Sequence, residues 1–157
     1  MKDLQTTVTY RTAHFEELTP LQKQLVEEAR QATFRSYAPY SHFKVGAAIA
    51  LDNGEIVVGS NQENAAYPSG TCAERSACYY AHARYPEARF LAIAIAARGT
   101  DDRWLTIPAS PCGACRQALV EYETLAKDNV EVLLVGETDI YIIPSVRALL
   151  PFAFTEF

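Results

Sequence analysis

Two short segments carry side chains that can do chemistry together: Thr71-Cys72-Ala73-Glu74-Arg75 and Pro111-Cys112-Gly113-Ala114-Cys115-Arg116. Cysteine binds metal as the thiolate. Thiolate is favoured where unpaired N–H groups and partial positive charge gather, as at the first turn of a helix. Both segments stand where a loop gives way to a helical pattern. Cys112 and Cys115, three residues apart in a first turn, share a face and can grip one ion. With Cys72 they offer three sulfurs to a tetrahedral metal and leave its fourth position open. A structural zinc uses a fourth protein ligand, whereas an open position is the pattern of a catalytic zinc that activates a water. Glu74, two residues after Cys72, can share that pocket, take a proton from the water and pass it to a leaving group.

Three thiolates leave the metal with net negative charge and weaken it as a Lewis acid, so something must draw charge from the sulfurs. Two helix N-termini help, and Arg75 and Arg116 stand where they can donate to thiolates, Arg75 the better placed. Other readings stay open at this level. A C-x-x-C pair also fits a redox couple or half of a structural zinc site. Glu74 follows Thr71 by three residues and so also fits a capping box. Cys78 could be a fourth ligand, but it lies beyond the first turn among apolar neighbours and reads as a core thiol. His14, His42 and His82 have no ligand spacing.

The elements that must position these residues follow from periodicity. Thr19 to Tyr37 reads as a helix, with Thr19 as N-cap, Pro20 at the first position and Leu21, Leu25, Ala29 and Ala32 at helical spacing. Phe43 to Leu51 and Glu55 to Gly59 read as strands joined by the turn Asp52-Asn53-Gly54. The loop from Asn61 to Gly70 leads to a second helix, Thr71 to Arg84. Arg89 to Ala97 is a buried strand, and a connection from Gly99 to Pro111 leads to a third helix, Cys112 to Leu125. Val130 to Val135 and Ile140 to Ile143 read as strands, and Ser145 to Leu150 as a short helix. A hairpin followed by alternating helix and strand implies a mixed sheet with helices on both faces.

The chain has 157 residues, which fits a single domain (1-157) with a polar, Thr-rich N-terminal arm over 1-18 that is strand-like or loosely held. A chain this size buries roughly 70% of its unfolded surface and needs no staples. Hydrophobic residues at 49% and charged residues at 21% argue against disorder. The formal net charge of -5, with no Lys/Arg block, argues against a general nucleic-acid role. The longest apolar run, Phe90 to Ala97, is too short to span a bilayer, and the first residues have no apolar signal core. A reducing, cytoplasmic setting is expected, where four cysteines point to metal or catalysis before disulfides.

Together, Cys72-Ala73-Glu74 and Pro111-Cys112-Gly113-Ala114-Cys115 have the form of the zinc-deaminase signature, H-x-E followed by P-C-x-x-C, in its all-cysteine variant. From about Tyr37 to Phe154 the chain resembles the small homotetrameric cytidine deaminases, through YAPYSHFKVGAA, NQENAAYPSGTCAERSA, SPCGACRQ and LLPFAF. That resemblance implies a three-layer α/β/α sandwich on a five-stranded mixed sheet. It implies one zinc per subunit and hydrolysis of cytidine and deoxycytidine to their uridine forms plus ammonia, in pyrimidine salvage. It further implies that Phe43 packs on the pyrimidine, that Asn61 and Glu63 bind the ribose 3′-hydroxyl, and that Ala73 and the carbonyl of Ser110 contact substrate. Ala65 and Tyr67 would lie in a loop extended toward a neighbouring subunit's site, and Phe154 would stack on a base across the interface. Three aromatics near the C-terminus, Phe152, Phe154 and Phe157, agree with burial at an interface. The connection from Gly99 to Pro111, which contains Trp104, is longer than the family pattern, and the first 18 residues have no counterpart in it.

Two rival functions remain. One is a deaminase of the same fold acting on a nucleoside antibiotic such as blasticidin S, or on a base in nucleic acid. The Asn61/Glu63 pair argues for a free nucleoside, because it would occupy the hydroxyl that a polynucleotide needs for its backbone. The other is a structural zinc or thiol-redox module without turnover, which would leave Glu74, Arg75, Asn61 and Glu63 without a common purpose.

Overall fold

The structure, a computed structural model, describes residues 1–156. Its strands are β1 (Arg11–Ala13), β2 (Lys44–Leu51), β3 (Ile56–Ser60), β4 (Phe90–Arg98), β5 (Glu131–Val135) and β6 (Ile140–Ile143). Its helices are α1 (Pro20–Ala32), α2 (Ala73–Arg84) and α3 (Gly113–Ala126). The strands form one mixed sheet in the order β1-β6-β5-β4-β2-β3, parallel only between β4 and β5.

Side-chain alternation along the central strands explains the layering. On β4, Ala92, Ala94 and Ala96 face α1, while Ile93 and Ile95 face α2 and α3. On β2, Ala48 and Ala50 share the α1 face, and Ala47, Ile49 and Leu51 the other. Small residues let α1 lie close to the sheet, and the branched ones fill the wider space under the helix pair. Each fully buried Ile adds roughly 1.5–3 kcal/mol of apolar burial. The three-layer α/β/α arrangement is as the resemblance implied.

The sheet has six strands rather than five. The extra strand, β1, comes from the N-terminal arm and pairs antiparallel with β6, Thr12 opposite Tyr141. The ring of Tyr10 meets that of Tyr141 at 5.2 Å. Its burial pattern has no alternating apolar signal, because only Ala13 is partly covered. The first helix also stops sooner than the span from Thr19 to Tyr37 read from the sequence. Thr19 and Gln22 form a capping box at its start, but α1 ends at Ala32 and a 3-10 turn follows over Thr33–Arg35. Thr33 Oγ1 donates back to the Arg30 carbonyl at 2.8 Å, and Ser36 turns extended so that its hydroxyl meets Val45 and Asn61.

Close approach of α2 to β3 depends on Gly59. A Cβ there would meet the Ala77 nitrogen at 2.5 Å and the Ala73 carbonyl oxygen at 2.6 Å, both backbone atoms of α2. The long 99-111 connection is pinned rather than loose. Trp104 packs under the Arg30 guanidinium at 5.4 Å, Arg98 donates to Asp102 at 3.1 Å, and the Leu105 carbonyl accepts from Glu137 N at 2.8 Å. At the far end of α3, the buried Glu123 carboxylate accepts from Val130 N, Val146 N and the Ser145 hydroxyl. This ties α3 to the last 3-10 turn, Val146–Leu149.

Candidate active site

Helices α2 and α3 both start on a cysteine. Cys72 is the N-cap of α2 (φ −74°, ψ 156°) and Cys112 that of α3 (φ −66°, ψ 166°), and neither side chain is used as a cap. Both sulfurs are therefore left at the positive ends of helix dipoles. Cys115 is buried in the first turn of α3. The three Sγ atoms lie within 4.8 Å of one another, Cys112 and Cys115 at 3.5 Å. Sulfurs bonded to one tetrahedral zinc at about 2.3 Å stand roughly 3.8 Å apart, so the trio fits that ion.

The electrostatics fit as well. Without a cation these sulfurs cannot all ionise. The Cys72 thiol is pulled down to about 5 by hydrogen bonding from Cys115, with the Arg75 guanidinium helping. The Cys115 thiol is pushed far up by the neighbouring Cys72 sulfur and by burial. A dication resolves that conflict by holding all three as thiolates. Arg75 Nη2 donates to Cys72 Sγ at 3.8 Å, and its Nε is buried without a partner among the described residues. Its cationic charge is therefore directed at the sulfur cluster, and the Cys72 sulfur in turn holds the guanidinium charged.

Arg116 does something different from the thiolate bond expected of it. It donates through Nε to the Pro111 carbonyl at 2.8 Å and through Nη1 to the Leu149 carbonyl at 2.7 Å. It thus fastens the loop delivering Cys112 to the C-terminal segment. Cys78 is fully buried, donates to the Arg75 carbonyl at 3.6 Å, and stands outside the sulfur trio. Burial pushes its thiol up to about 12, as suits a core residue.

Glu74 is the second residue of α2 and only 5% exposed. Cys72 rather than Thr71 is the N-cap, so no Thr71–Glu74 capping box forms. Thr71 instead pairs through its main chain with Gln62 at 2.9 Å in both directions. Burial raises the Glu74 carboxyl above the usual carboxylate range, and the nearby Cys72 charge adds to that. A carboxyl so raised can hold a proton that it later gives up.

Cys72, Cys112, Ala73 and Glu74 open onto a cavity of about 660 Å³. Phe43, Asn61, Glu63, Tyr67 and Ser110 line its walls, so most of the expected substrate contacts meet in one space. Ala65 and Phe154 do not line it and are exposed. The tail bearing Phe154 is held against α3, where Gln117 donates to the Phe154 carbonyl at 2.7 Å and accepts from its nitrogen at 3.2 Å. Phe152 is exposed, and Phe157 lies outside the described residues.

Asn61 is largely spent on the wall itself. Its Oδ1 accepts from Val45 N at 2.8 Å and its Nδ2 donates to the Phe43 carbonyl at 2.9 Å. One Nδ2–H remains without a partner among the described residues. The Glu63 carboxylate accepts from Tyr40 N at 2.9 Å, Ser41 N at 3.2 Å and the Ser41 hydroxyl. These bonds, led by the Ser41 hydroxyl, hold it below the usual carboxylate range. Tyr40 and Ser41 also line the cavity and were missed from the sequence. Their only signal was the turn chemistry of Pro39-Tyr40-Ser41-His42, which does not say what the turn faces.

Residues 20–128 match the family model described as the cytidine and deoxycytidylate deaminase zinc-binding region. The chain is 42% identical over 132 residues to a cytidine deaminase of Halalkalibacterium halodurans, covering 83% of this chain and 92% of that one. It is 41% identical over 100 residues to a cytidine deaminase of Sporosarcina psychrophila, covering 64% and 68%. In structure it is similar to a cytidine deaminase from Burkholderia pseudomallei, with a TM-score of 0.73, 39% identity and coverage of 87% of this chain and all of that one. A cytidine deaminase from Mycobacterium tuberculosis gives a TM-score of 0.66 at 31% identity, covering 86% and 98%.

Proposed function

The chain belongs to the cytidine and deoxycytidylate deaminase family, and we propose that it hydrolyses cytidine and deoxycytidine to uridine and deoxyuridine with release of ammonia, in pyrimidine salvage. One observation carries this reading. Two helix N-termini converge on a three-sulfur site with a buried carboxylate beside it, opening onto a cavity with polar walls.

Cys72, Cys112 and Cys115 would hold one zinc per subunit, and zinc when bound supplies the Lewis acid that makes water nucleophilic at neutral pH. The remaining work falls to side chains of this chain. Glu74 takes the proton from the attacking water, delivers it to N3 of the pyrimidine as C4 becomes tetrahedral, and then carries a proton to the departing amine. Its buried setting, which favours the protonated form, supports both directions of transfer. Arg75 draws charge from Cys72. The Phe43 ring packs on the base, with the Ala73 main chain alongside, and the Ser110 carbonyl accepts from the amine. Glu63 and the remaining Asn61 Nδ2–H read the ribose 3′-hydroxyl. That recognition, with the net charge of -5, favours a free nucleoside over a base in nucleic acid.

The working assembly is a homotetramer, in which Phe154 and the loop of Ala65 and Tyr67 complete a neighbour's site. Exposed Tyr67, Phe152 and Phe154 support that reading. The setting is cytoplasmic, with no membrane partner. No helix among the described residues is long and apolar enough to cross a membrane.

The test is ammonia release from cytidine, deoxycytidine, cytosine, adenosine and blasticidin S, with and without a zinc chelator. Chelator-sensitive turnover of the two cytidine nucleosides alone is the expected result. Turnover of blasticidin S alone would keep the chemistry and discard the substrate. No turnover by zinc-loaded protein would discard both.

A further inference from the structure

Ser41 stands at the tip of a tight turn that the deaminase reading leaves without a task. The Ala38 carbonyl accepts from His42 N at 3.1 Å, and His42 closes the turn in the left-handed region (φ 57°). The Ser41 hydroxyl makes two bonds of opposite sense. It donates to Glu63 Oε1 and accepts from Phe43 N at 3.1 Å. Glu63 Oε2 accepts from both Tyr40 N and Ser41 N. No ion pair holds Glu63 among the described residues, so this turn alone orients it.

A carboxylate oxygen offers two lone-pair directions. Both directions of Oε2 are filled by backbone donors. Oε1 has one donor, the Ser41 hydroxyl, and one direction left for a ligand. A sugar hydroxyl that donates to Glu63 must therefore use the oxygen that Ser41 holds. The same hydroxyl fixes the main chain of Phe43, whose ring lines the cavity.

From this geometry we propose that Ser41 is a positioning residue for sugar recognition, locking Glu63 Oε1 and Phe43 into one register so that ribose and base are read together. The inference rests on the cytidine reading above. A residue needed only for the turn or for Phe43 would affect every nucleoside alike, whereas the bond to Glu63 adds a loss confined to a substrate that donates to Glu63.

The experiment compares steady-state kinetics of the zinc-loaded protein on cytidine and on 3′-deoxycytidine, for the unaltered chain, Ser41→Ala and Ser41→Thr, with melting temperatures alongside. Ser41→Ala should lower kcat/KM for cytidine by roughly tenfold, mainly through KM, and lower that for 3′-deoxycytidine several-fold less, because only the Phe43 contact is then lost. Ser41→Thr keeps the hydroxyl and should restore cytidine turnover. Equal losses on both nucleosides, or no loss on cytidine, would overturn the role of Ser41 while the deaminase reading stands. If the unaltered chain turns over both nucleosides equally, Glu63 does not read the 3′-hydroxyl and the inference fails with it. If it turns over neither, the cytidine reading itself fails.

Discussion

Replacing Gly59 by alanine tests whether the packing of α2 on β3 sets the metal site. The new Cβ would lie 2.5 Å from the Ala77 nitrogen and 2.6 Å from the Ala73 carbonyl oxygen, where ordinary contact begins near 3.4 Å. Those are backbone atoms of α2, so no rotamer change relieves the clash. Helix and strand must separate by about 0.9 Å, and overpacking of this kind costs about 1–3 kcal/mol. In a domain of this size that lowers Tm by roughly 2–12 °C. Ala73 opens α2, so the displacement passes directly to Cys72 and Glu74. Metal–sulfur distances tolerate only about 0.2 Å, far less than the movement required. Gly59→Ala should therefore weaken zinc binding by at least about tenfold, comparable with the loss of a ligand-supporting contact. Competition with a chromophoric chelator reads the affinity, and thermal unfolding reads the stability. Gly113→Ala is the matched control, because nothing lies within 4 Å of its Cβ and it sits in the first turn of α3. Alanine there should hold or slightly raise Tm and leave zinc affinity unchanged. If Gly59→Ala binds zinc as tightly as the unaltered chain and melts within about 1 °C of it, helix placement does not govern the site.

Glu74→Gln should retain zinc by elemental analysis yet lose roughly 10²- to 10⁴-fold in kcat, since the amide cannot carry the proton; near-normal turnover would remove Glu74 from the chemistry. Cys115→Ala should lose the metal and stability together, while Cys78→Ala should keep zinc, because Cys78 stands outside the sulfur trio; metal-to-protein ratios after dialysis separate the two. The Glu63 carboxyl is held below its usual range by the Ser41 hydroxyl and the Tyr40 N–H, so its ionised form persists as pH falls. KM for cytidine should accordingly stay flat from pH 7 to pH 5 and rise only below, as the carboxylate protonates; a rise already between pH 7 and pH 6 would show that Glu63 is not held this way.

The sheet, the helix pair and the zinc site were legible in the sequence because each rests on a local rule. Alternation of Ala and Ile in β4 announces a strand buried on both faces, and cysteines at loop-to-helix junctions announce dipole-assisted thiolates. What escaped rests on partners distant in sequence. β1 has too little apolar pattern to be read alone and takes its conformation from β6. Arg116 looked like a thiolate donor by proximity, but carbonyls at Pro111 and Leu149 compete for it, and the second lies thirty-three positions away. In the sequence the first helix reads on to Tyr37 because nothing local marks Ser36 as the partner of Val45 and Asn61.

The residues that escaped all serve placement. Sulfurs and a carboxylate can be recognised from type and spacing, because metal binding and proton transfer restrict which atoms will serve. Substrate recognition restricts direction instead, and direction is set by whichever backbone groups consume the other lone pairs and N–H bonds. Asn61 illustrates this: its amide is engaged by Phe43 and Val45 before any ligand arrives, leaving one donor aimed by the strand. Glu63 is treated the same way by the Tyr40–Ser41 turn. Each of these contacts belongs to β2 or to the turn that enters it, and β2 is packed between β4 and β3. Asn61 itself directly follows Ser60, the last residue of β3, so the strand that carries Gly59's clash with α2 leads straight into the wall proposed to read the sugar. A disturbance at Gly59 should therefore reach the metal through α2 and Asn61 along its own strand, so zinc affinity and nucleoside selectivity should fall together.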